Sequence, residues 1–246
     1  MCSNYVPLTR RDWLLSYFGV VRERDDPPTD TWPLGMAPFI RLQPGGDGQA
    51  RVVEDGLFGL MPHFATELSF GRRTYNARSE TVDRLPSFRD AWAAGQRCII
   101  PAEAIYEPNW ESGPCERWAI HQEGLVPMGI AGVWTEWRDP RTGRMVFSFA
   151  MLTVNADGHA LMQRFHKPED EKRMVVILAP ADYADWLACP VTDAKRYFRQ
   201  WTGPLIGEPA LLPPRAPQAS SVRTTRPPQP TKAPKPPKPP ETGQLF

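Results

Sequence analysis

The second residue of the chain is a cysteine, directly behind Met1. Removal of Met1, which is usual before a small residue, would leave Cys2 with a free α-amine and a free thiol on adjacent carbons. Such a 1,2-aminothiol condenses with an aldehyde: the amine forms a Schiff base, and the thiolate closes on the same carbon to give a thiazolidine. Reference pKa values of about 8.5 for the thiol and about 7.7–8.0 for the amine suit this chemistry to neutral pH. Position alone fits an incidental cysteine on a frayed terminus equally well.

Two further stretches carry groups that could assist such a reaction. Residues 75–81 read Tyr-Asn-Ala-Arg-Ser-Glu-Thr, a polar run between apolar segments. Arginine pairs with phosphate and asparagine reaches base or sugar edges, so this run predicts either a nucleic-acid-reading loop or a solvated loop. Glu107 follows residues typical of a strand and precedes Pro108. A carboxylate at the end of a buried strand can act as a general acid, although most glutamates lie on the surface.

Two histidines, His159 and His166, lie in a segment that is rich in charged residues. We interpret this segment as one catalytic histidine with solvated charges around it, rather than as a metal site. The four cysteines form no C-x-x-C pair, which argues against a zinc ribbon. We therefore predict no metal and no cofactor.

The charge of the chain is unevenly distributed. Residues 207–246 contain six basic and two acidic residues, a charge of +4, whereas the whole chain is +1, so the body is −3. DNA binding would therefore require a local basic surface. No apolar stretch approaches the roughly 20 residues of a membrane helix, and no signal peptide is evident. We expect a soluble, monomeric, cytoplasmic protein that is associated with the nucleoid when it binds DNA.

The elements predict an α+β fold with a strand-rich, mixed or antiparallel β core and flanking helices. Strands occur in runs rather than alternating with helices, which argues against a doubly wound sheet. One domain is expected over residues 1–206, followed by a disordered Pro/Lys-rich tail over residues 207–246. Helices are predicted after Thr9, after Ser87, over residues 158–165, over residues 181–188 and over residues 192–198. Strands are predicted over residues 37–42, 50–53, 97–101, 104–107, 117–121, 128–137, 146–154 and 173–178.

Taken together, these features resemble the SRAP family, the SOS response-associated peptidase fold whose members trap abasic sites in DNA. The resemblance spans roughly residues 2–200. It rests on an N-terminal Met-Cys, the Asn-Ala-Arg loop from residue 76, the Pro-Ala-x-x-x-Tyr-Glu strand end, the Ala-Gly-Val-Trp strand at 131–134, a Leu-Thr segment at 152–153, and a histidine followed by Arg-Met and an apolar strand.

The resemblance implies a role for each matching residue. Cys2 is the nucleophile, Asn76 fixes its rotamer, Glu107 is the acid/base and His166 is the second catalytic group, with His159 as a lesser candidate. The predicted DNA contacts are the phosphate ligands Arg78 and Arg173, the polar residues Asn4 and Thr153, and an apolar wedge of Pro38, Phe58, Met61 and Pro62.

The implied function is recognition of abasic sites in single-stranded or fork DNA and formation of a thiazolidine crosslink through Cys2. Enzyme chemistry of a peptidase-like kind, in autocatalytic removal of Met1, and of a lyase-like kind is expected with it. The sequence departs from the family at several points. Ser3-Asn4 stands where many relatives have Gly-Arg, Pro108 stands where tryptophan is common, and the His-x-Arg-Met pattern is stretched between His166 and Arg173.

Two other interpretations stay open. A cysteine amidotransferase of the N-terminal nucleophile class would use the same Cys2, with the α-amine as base. A non-catalytic interaction protein would instead act through its Pro/Lys-rich tail, although such tails are more often linkers.

The chain ends in Gly-Gln-Leu-Phe. This ending resembles a truncated form of the peptide by which bacterial repair proteins dock on the replicative sliding clamp. The resemblance predicts a clamp contact through Gln244, Leu245 and Phe246, and the alternative is a tail with no such role.

Overall fold

The strand signals of the sequence assemble into one mixed β sheet. The computed structural model describes residues 2–23, 26, 29–45 and 50–210, and the sheet within them has eleven strands. In chain order these are β1 (Asn4–Pro7), β2 (Met36–Leu42), β3 (Arg51–Phe58), β4 (Asn76–Arg78), β5 (Arg97–Asn109), β6 (Glu116–Gln122), β7 (Met128–Arg138), β8 (Met145–Asn155), β9 (Arg173–Val175), β10 (Ile177–Leu178) and β11 (Leu205–Pro209).

The centre of the sheet closes into a barrel. Its strand order is β7-β8-β3-β2-β5, and β5 pairs back onto β7. All of these pairings are antiparallel except β3 with β8, which is parallel over two residues. The predicted α+β class with a mixed, largely antiparallel core is confirmed, and barrel closure adds what local patterns do not show. Closure removes the free sheet edges that would otherwise need protection.

β5 is one strand of 13 residues, where the sequence predicted two shorter ones. Its first half, from Arg97 to Ala102, pairs with β7 and closes the barrel. Its second half, from Ile105 to Asn109, pairs with β6, which in turn pairs with β11. Glu107 lies on this second half, so the strand that closes the barrel also carries the predicted acid.

Helices are short and lie outside the barrel. They are α1 (Arg11–Trp13), which continues as a π-helical turn (Leu14–Phe18), α2 (Arg89–Ala93) and α3 (Tyr183–Ala188); 3-10 turns cover Leu68–Arg73, Glu123–Leu125, Met162–Arg164, Pro180–Asp182 and Ala194–Tyr197.

Local details differ from the sequence predictions at several places, and one of them is the helix predicted over residues 192–198, which is the 3-10 turn Ala194–Tyr197. Thr9 does not cap α1; its hydroxyl donates to the carbonyl of Asp26, and the N-cap position is Arg10 without a side-chain bond. The helix predicted over residues 158–165 is only the 3-10 turn Met162–Arg164. By contrast, Gly19 ends the first helix in the left-handed conformation, as predicted.

The barrel interior is filled by aromatic rings. The ring of Phe149 lies 5.6 Å from that of Phe39 and 5.7 Å from that of Phe58, and Tyr5 meets Phe58 edge-on at 5.1 Å. All four side chains are fully buried. β1 is thereby attached to the core through Tyr5, one residue beyond Asn4.

The last strand extends past the predicted domain end. β11 continues to Pro209, three residues beyond position 206, because Leu205–Pro209 pairs with β6. The described residues belong to one compact unit, and residues 211–246 lie outside the described part of the chain. Among the described residues, no helix has the length and apolar character needed to cross a bilayer.

Gly59 follows β3 with φ of 132°, and a Cβ there would lie 2.3 Å from the carbonyl oxygen of Gly71. Gly59→Ala should therefore destabilise the fold by about 2–4 kcal/mol, since backbone strain and a clash with main chain combine. Gly143→Ala is the matched control, because Gly143 also has positive φ but nothing within 4 Å of its Cβ position. That change should cost only about 1 kcal/mol. Urea unfolding measures both, and equal losses would contradict the close contact with Gly71.

Candidate functional site

Cys2 is held beside Glu107 by the pairing of β1 with β5. Asn4 lies opposite Tyr106 in this antiparallel ladder, so the residues before Asn4 run alongside Glu107 and Pro108. The Cys2 thiol donates to the carbonyl of Asn4 at 3.4 Å. Cys2 and Glu107 are 1% and 2% exposed, so a thiol and a carboxylate share a region from which water is largely excluded.

Asn76 reaches the same place from a different strand, β4. β4 runs parallel to β8, with Asn76 opposite Met151, and the Asn76 amide nitrogen donates to the Cys2 carbonyl at 2.8 Å. The contact is with the main chain of Cys2 rather than with its thiol. Asn76 therefore fixes the backbone position of Cys2, where the resemblance implied control of its side-chain rotamer.

His166 completes the group. Its backbone N–H donates to the Pro108 carbonyl at 2.9 Å, which places it next to β5, and its Nε2 lies 3.0 Å from Glu107 Oε2. Both side chains are almost fully buried. His166 has φ of 66°, a left-handed conformation that is uncommon for a residue other than glycine and that occurs preferentially at functional sites.

The electrostatics of this region favour a neutral thiol. Burial, with a further contribution from the negative charge of Glu107, raises the pKa of Cys2 to about 12. Burial also raises the pKa of Tyr75, and the neighbouring Cys2 and Glu107 add to that effect. Cys2 thus holds its proton at neutral pH, and any reaction of its sulfur needs a base nearby.

A second layer of side chains, which sequence reasoning missed, supports Asn4. The Arg117 guanidinium donates to Asn4 Oδ1 at 2.6 and 3.1 Å, pairs with Asp30, and lies 3.2 Å from the centre of the Tyr106 ring. Asn4 itself donates to the Thr31 carbonyl at 3.2 Å. Asn4 is 2% exposed and its side chain is engaged in this support, so its contact with DNA stays a prediction. The sequence predicted a strand over residues 117–121, but no pattern of residues near Arg117 indicated that its side chain contacts Asn4.

A surface cavity of about 270 Å³ opens beside Glu107. It is lined by Ser3, Asn4, Trp32, Tyr106, Glu107, Pro108, Cys115 and Arg117. Trp32 is 46% exposed, which is unusual for so large an apolar side chain. The cavity gives an aromatic-walled approach to Glu107.

The apolar wedge predicted for the DNA is not at the surface. Phe58 and Met61 are fully buried, and Pro38 and Pro62 are also buried. The prediction was wrong for these four residues, because the apolar segment around the Phe-Gly-Leu motif packs into the barrel instead of facing solvent.

Arg173 and Thr153 are likewise interior residues. The Arg173 side chain is 1% exposed, and its guanidinium donates to the Thr153 carbonyl at 2.7 Å and to the Thr153 hydroxyl at 3.2 Å. It also pairs with Glu80 at 2.9 Å and with Glu171 at 2.5 Å. The placement of these two residues contradicts direct contact with DNA, because their polar groups are already engaged inside the protein. Arg78, in contrast, has a side chain that is 46% exposed.

His159 has a structural setting. Its Nε2 bonds the Trp201 carbonyl at 2.9 Å, and its Nδ1 accepts from the backbone N–H groups of Leu161 and Met162 at 3.1 Å each. It lies away from the group around Cys2, whereas His166 belongs to that group. Within the described ranges, no cluster of three or more His, Cys, Asp or Glu side chains could hold a metal ion. Gln244, Leu245 and Phe246, the predicted clamp contact, lie outside the described residues.

A known protein family accounts for most of the chain. A family model described as SOS response associated peptidase (SRAP) matches residues 1–207. The chain belongs to the SRAP family. The predicted resemblance is therefore confirmed over nearly all of the described chain.

Curated relatives in this family carry a shared name. The chain is 30% identical to "Abasic site processing protein YoqW" of Bacillus subtilis, over 55% of this chain and 57% of that protein. It is 25% identical to "Abasic site processing protein HMCES" of Gallus gallus, over 47% of this chain and 40% of that protein. The alignments thus span about half the length of the curated relatives.

Solved structures agree with the fold. A crystal structure of a protein from Bordetella bronchiseptica has a TM-score of 0.77 and 38% identity, and the match covers 86% of this chain and 100% of that one. A protein from Bacteroides thetaiotaomicron has a TM-score of 0.71 over 85% and 91% of the two chains, at 19% identity. The second likeness shows the fold alone.

Thiol accessibility tests the burial of Cys2. Cys115 is exposed, whereas Cys2, Cys98 and Cys189 are buried and burial raises the pKa of each. In protein that retains Met1 by mass, a thiol-specific chromogenic reagent at about pH 8 should modify one cysteine rapidly and three slowly. Cys115→Ser should abolish the rapid phase, and Cys98→Ser should preserve it. Because the Cys2 pKa lies near 12, raising the pH to about 9.5 should leave Cys2 slow. A rapid phase that survives Cys115→Ser would contradict this picture.

Proposed function

We propose that this protein traps abasic sites in single-stranded or fork DNA by a covalent thiazolidine crosslink through Cys2. The observation that carries the proposal is the meeting of Cys2, Asn76, Glu107 and His166. These residues come from four separate segments of the chain. The names of the curated relatives support abasic DNA as the substrate class.

The first covalent step joins the amine to the sugar. Once Met1 is removed, the α-amine of Cys2 attacks C1′ of the open-chain aldehyde, and loss of one water gives a Schiff base. An abasic sugar is mostly a closed hemiacetal, so ring opening must come first. In the proposal, Glu107 protonates the ring oxygen and His166, 3.0 Å from it, supplies or stores the proton.

The second step closes the ring. The Cys2 sulfur bonds to the same C1′ carbon, the C=N electron pair returns to nitrogen, and the thiol proton ends on that nitrogen. Because burial keeps the thiol protonated at neutral pH, the proton needs a carrier during closure. The Glu107–His166 pair is the carrier that we propose, since it borders the thiol and is shielded from bulk water.

Fixed positions make this chemistry efficient. The Asn76 bond to the Cys2 carbonyl and the β1–β5 ladder hold the amine and the thiol on one side of Glu107. Such preorganisation replaces the entropic cost of bringing three groups together in solution. The same site is the proposed place of autocatalytic Met1 removal and of lyase-like chemistry.

Unpaired DNA fits the surface around the site. The cavity beside Glu107 presents the half-exposed ring of Trp32 and the Arg117–Tyr106 stack. Exposed aromatic faces stack on bases that are free of a partner strand. We propose that this cavity, rather than the buried residues of the predicted wedge, receives the nucleotides next to the lesion.

The central test uses single-stranded DNA with one abasic site. Mixing it with the protein should give a shifted band that survives denaturation. Cys2→Ala should abolish the band, because ring closure needs sulfur. Cys2→Ser should leave only a Schiff base that borohydride traps. A stable adduct with Cys2→Ala would contradict the thiazolidine mechanism. Crosslinking by protein whose measured mass shows that Met1 is still present would contradict it as well.

Glu107→Gln should slow single-turnover crosslinking by about 10²–10⁴-fold while preserving DNA binding, since the amide keeps the shape without transferring the proton. Glu103→Gln is the matched control. Glu103 lies four residues earlier on β5, is half-buried, and has its pKa raised by burial. It should crosslink at the wild-type rate. Equal rates for the two variants would remove Glu107 from the mechanism.

The amidotransferase alternative uses the same nucleophile. Under that alternative, the protein would release ammonia from glutamine and would form no adduct with abasic DNA. A glutaminase assay beside the crosslinking assay separates the two.

A further inference from the structure

Three charged side chains form a chain of ion pairs on the side of the sheet where β4, β8 and β9 meet. Glu171 bridges two arginines, with one carboxylate oxygen 2.5 Å from Arg78 and the other 2.5 Å from Arg173. Burial alone would raise the pKa of Glu171, but Arg173 and Arg78 lower it below its usual value. The carboxylate is therefore ionised at neutral pH and offers each arginine a separate oxygen.

The two arginines differ in their freedom. Arg173 is 1% exposed and is also held by Glu80 and Thr153, so it is a fixed anchor for Glu171. Arg78 has a 46% exposed side chain, and Glu171 is 38% exposed. The Arg78–Glu171 contact is thus open to competition from an anion in solution, whereas the Arg173–Glu171 contact is not.

Arg78 lies close to the group around Cys2. It is two residues after Asn76 on β4, so the two side chains leave the same face of the strand about 6.5–7 Å apart. Asn76 binds the Cys2 carbonyl directly. This spacing is about that of adjacent phosphates along a DNA strand, so a strand held at Cys2 would bring a phosphate to Arg78.

Glu171 belongs to the segment between His166 and Arg173, which is longer here than in the His-x-Arg-Met pattern of the family. The segment includes Glu169, Asp170 and Glu171, and it is tied back by Lys172, whose amine donates to the His166 carbonyl at 3.3 Å. The chain therefore places a carboxylate of its own on the arginine that DNA would use.

We infer that Glu171 is an internal substitute for a DNA phosphate: it occupies Arg78 in the free protein, is anchored by Arg173, and must be displaced when the DNA backbone binds. This inference rests on the proposed function for the identity of the anion. It assigns Arg173 the task of positioning Glu171, in place of the direct phosphate contact expected from sequence. It also predicts that this loop lowers the affinity of the free protein for DNA.

The test measures noncovalent binding of a short fluorescent oligothymidylate that has no abasic site. Glu171→Gln should tighten binding by about two- to fivefold at low salt, because the competing charge is removed from an exposed ion pair. The slope of log K against log salt should steepen by up to about one, as Arg78 gains a phosphate contact.

Glu169→Gln is the matched control, with the same charge change on the same exposed segment and no ion pair to another described residue. It should tighten binding less than Glu171→Gln. In an Arg78→Ala background, Glu171→Gln should give no gain beyond that control. Thermal unfolding of each variant confirms that it is folded.

Binding by Glu171→Gln that is no tighter than binding by Glu169→Gln would overturn the inference. Tighter binding by Glu171→Gln that persists in the Arg78→Ala background would also overturn it, since that gain would come from the change in net charge alone. The readout is independent of covalent chemistry. Failure of wild-type protein to crosslink abasic DNA would count against the proposed function, while the ranking of the two glutamate variants on oligothymidylate would still decide the role of Glu171.

Discussion

The pairing of β1 with β5 is the constraint on which the site depends. Cys2 precedes a strand of only four residues, and such a terminal segment would fray if it were not tied down. The Asn4–Tyr106 register, the buried Tyr5 ring and the Asn76 bond to the Cys2 carbonyl hold it in place. Because β5 is also the strand that closes the barrel, the position of Cys2 is coupled to the most stable part of the fold.

That placement has a chemical consequence. Burial that orders the Cys2 thiol also raises its pKa, so the free protein is protected from nonspecific oxidation and alkylation. Reactivity must then come from a nearby base at the moment of reaction. In the proposed mechanism the Glu107–His166 pair is that base, and its low exposure limits proton exchange with solvent during the transfer. The same packing therefore orders Cys2, lowers the reactivity of its thiol and places the proposed proton carrier, Glu107–His166, away from bulk water.

Sequence reasoning succeeded where the signal was local. Strand patterns and the strand-end position of Glu107 are set by neighbouring residues, and the histidine that the family motifs favoured, His166, lies beside Glu107. It failed where the outcome depended on distant partners. Phe58 sits between a strand and a glycine, a pattern equally compatible with a surface loop and with the core, and only barrel closure decides between them.

Charged residues show the same limit. A guanidinium in an apolar strand is expected to reach solvent, yet Arg173 is buried because Glu80, Thr153 and the nearby Glu171 satisfy it. Arg117 is likewise paired with Asp30 and stacked on Tyr106. Glu171 is a neighbour of Arg173 in sequence, but no spacing rule along the chain reveals Glu80, Thr153 or Asp30, which only the fold brings to these arginines.

The paired arginines also bear on how a body with a net charge of −3 could approach DNA. Around the site, Arg117 is paired with Asp30, and Arg78 and Arg173 share Glu171. Nearby carboxylates neutralise these three arginines, so they add little long-range attraction to duplex DNA. Binding then depends on contacts that can replace these carboxylates one for one and add stacking on exposed rings such as Trp32. Flexible unpaired strands can satisfy both requirements, whereas a regular duplex, with its bases stacked and paired, supplies the phosphates without the free base faces. Under the proposed function, selectivity for unpaired DNA would thus arise from these neutralised arginines, because they would add little phosphate attraction without base stacking.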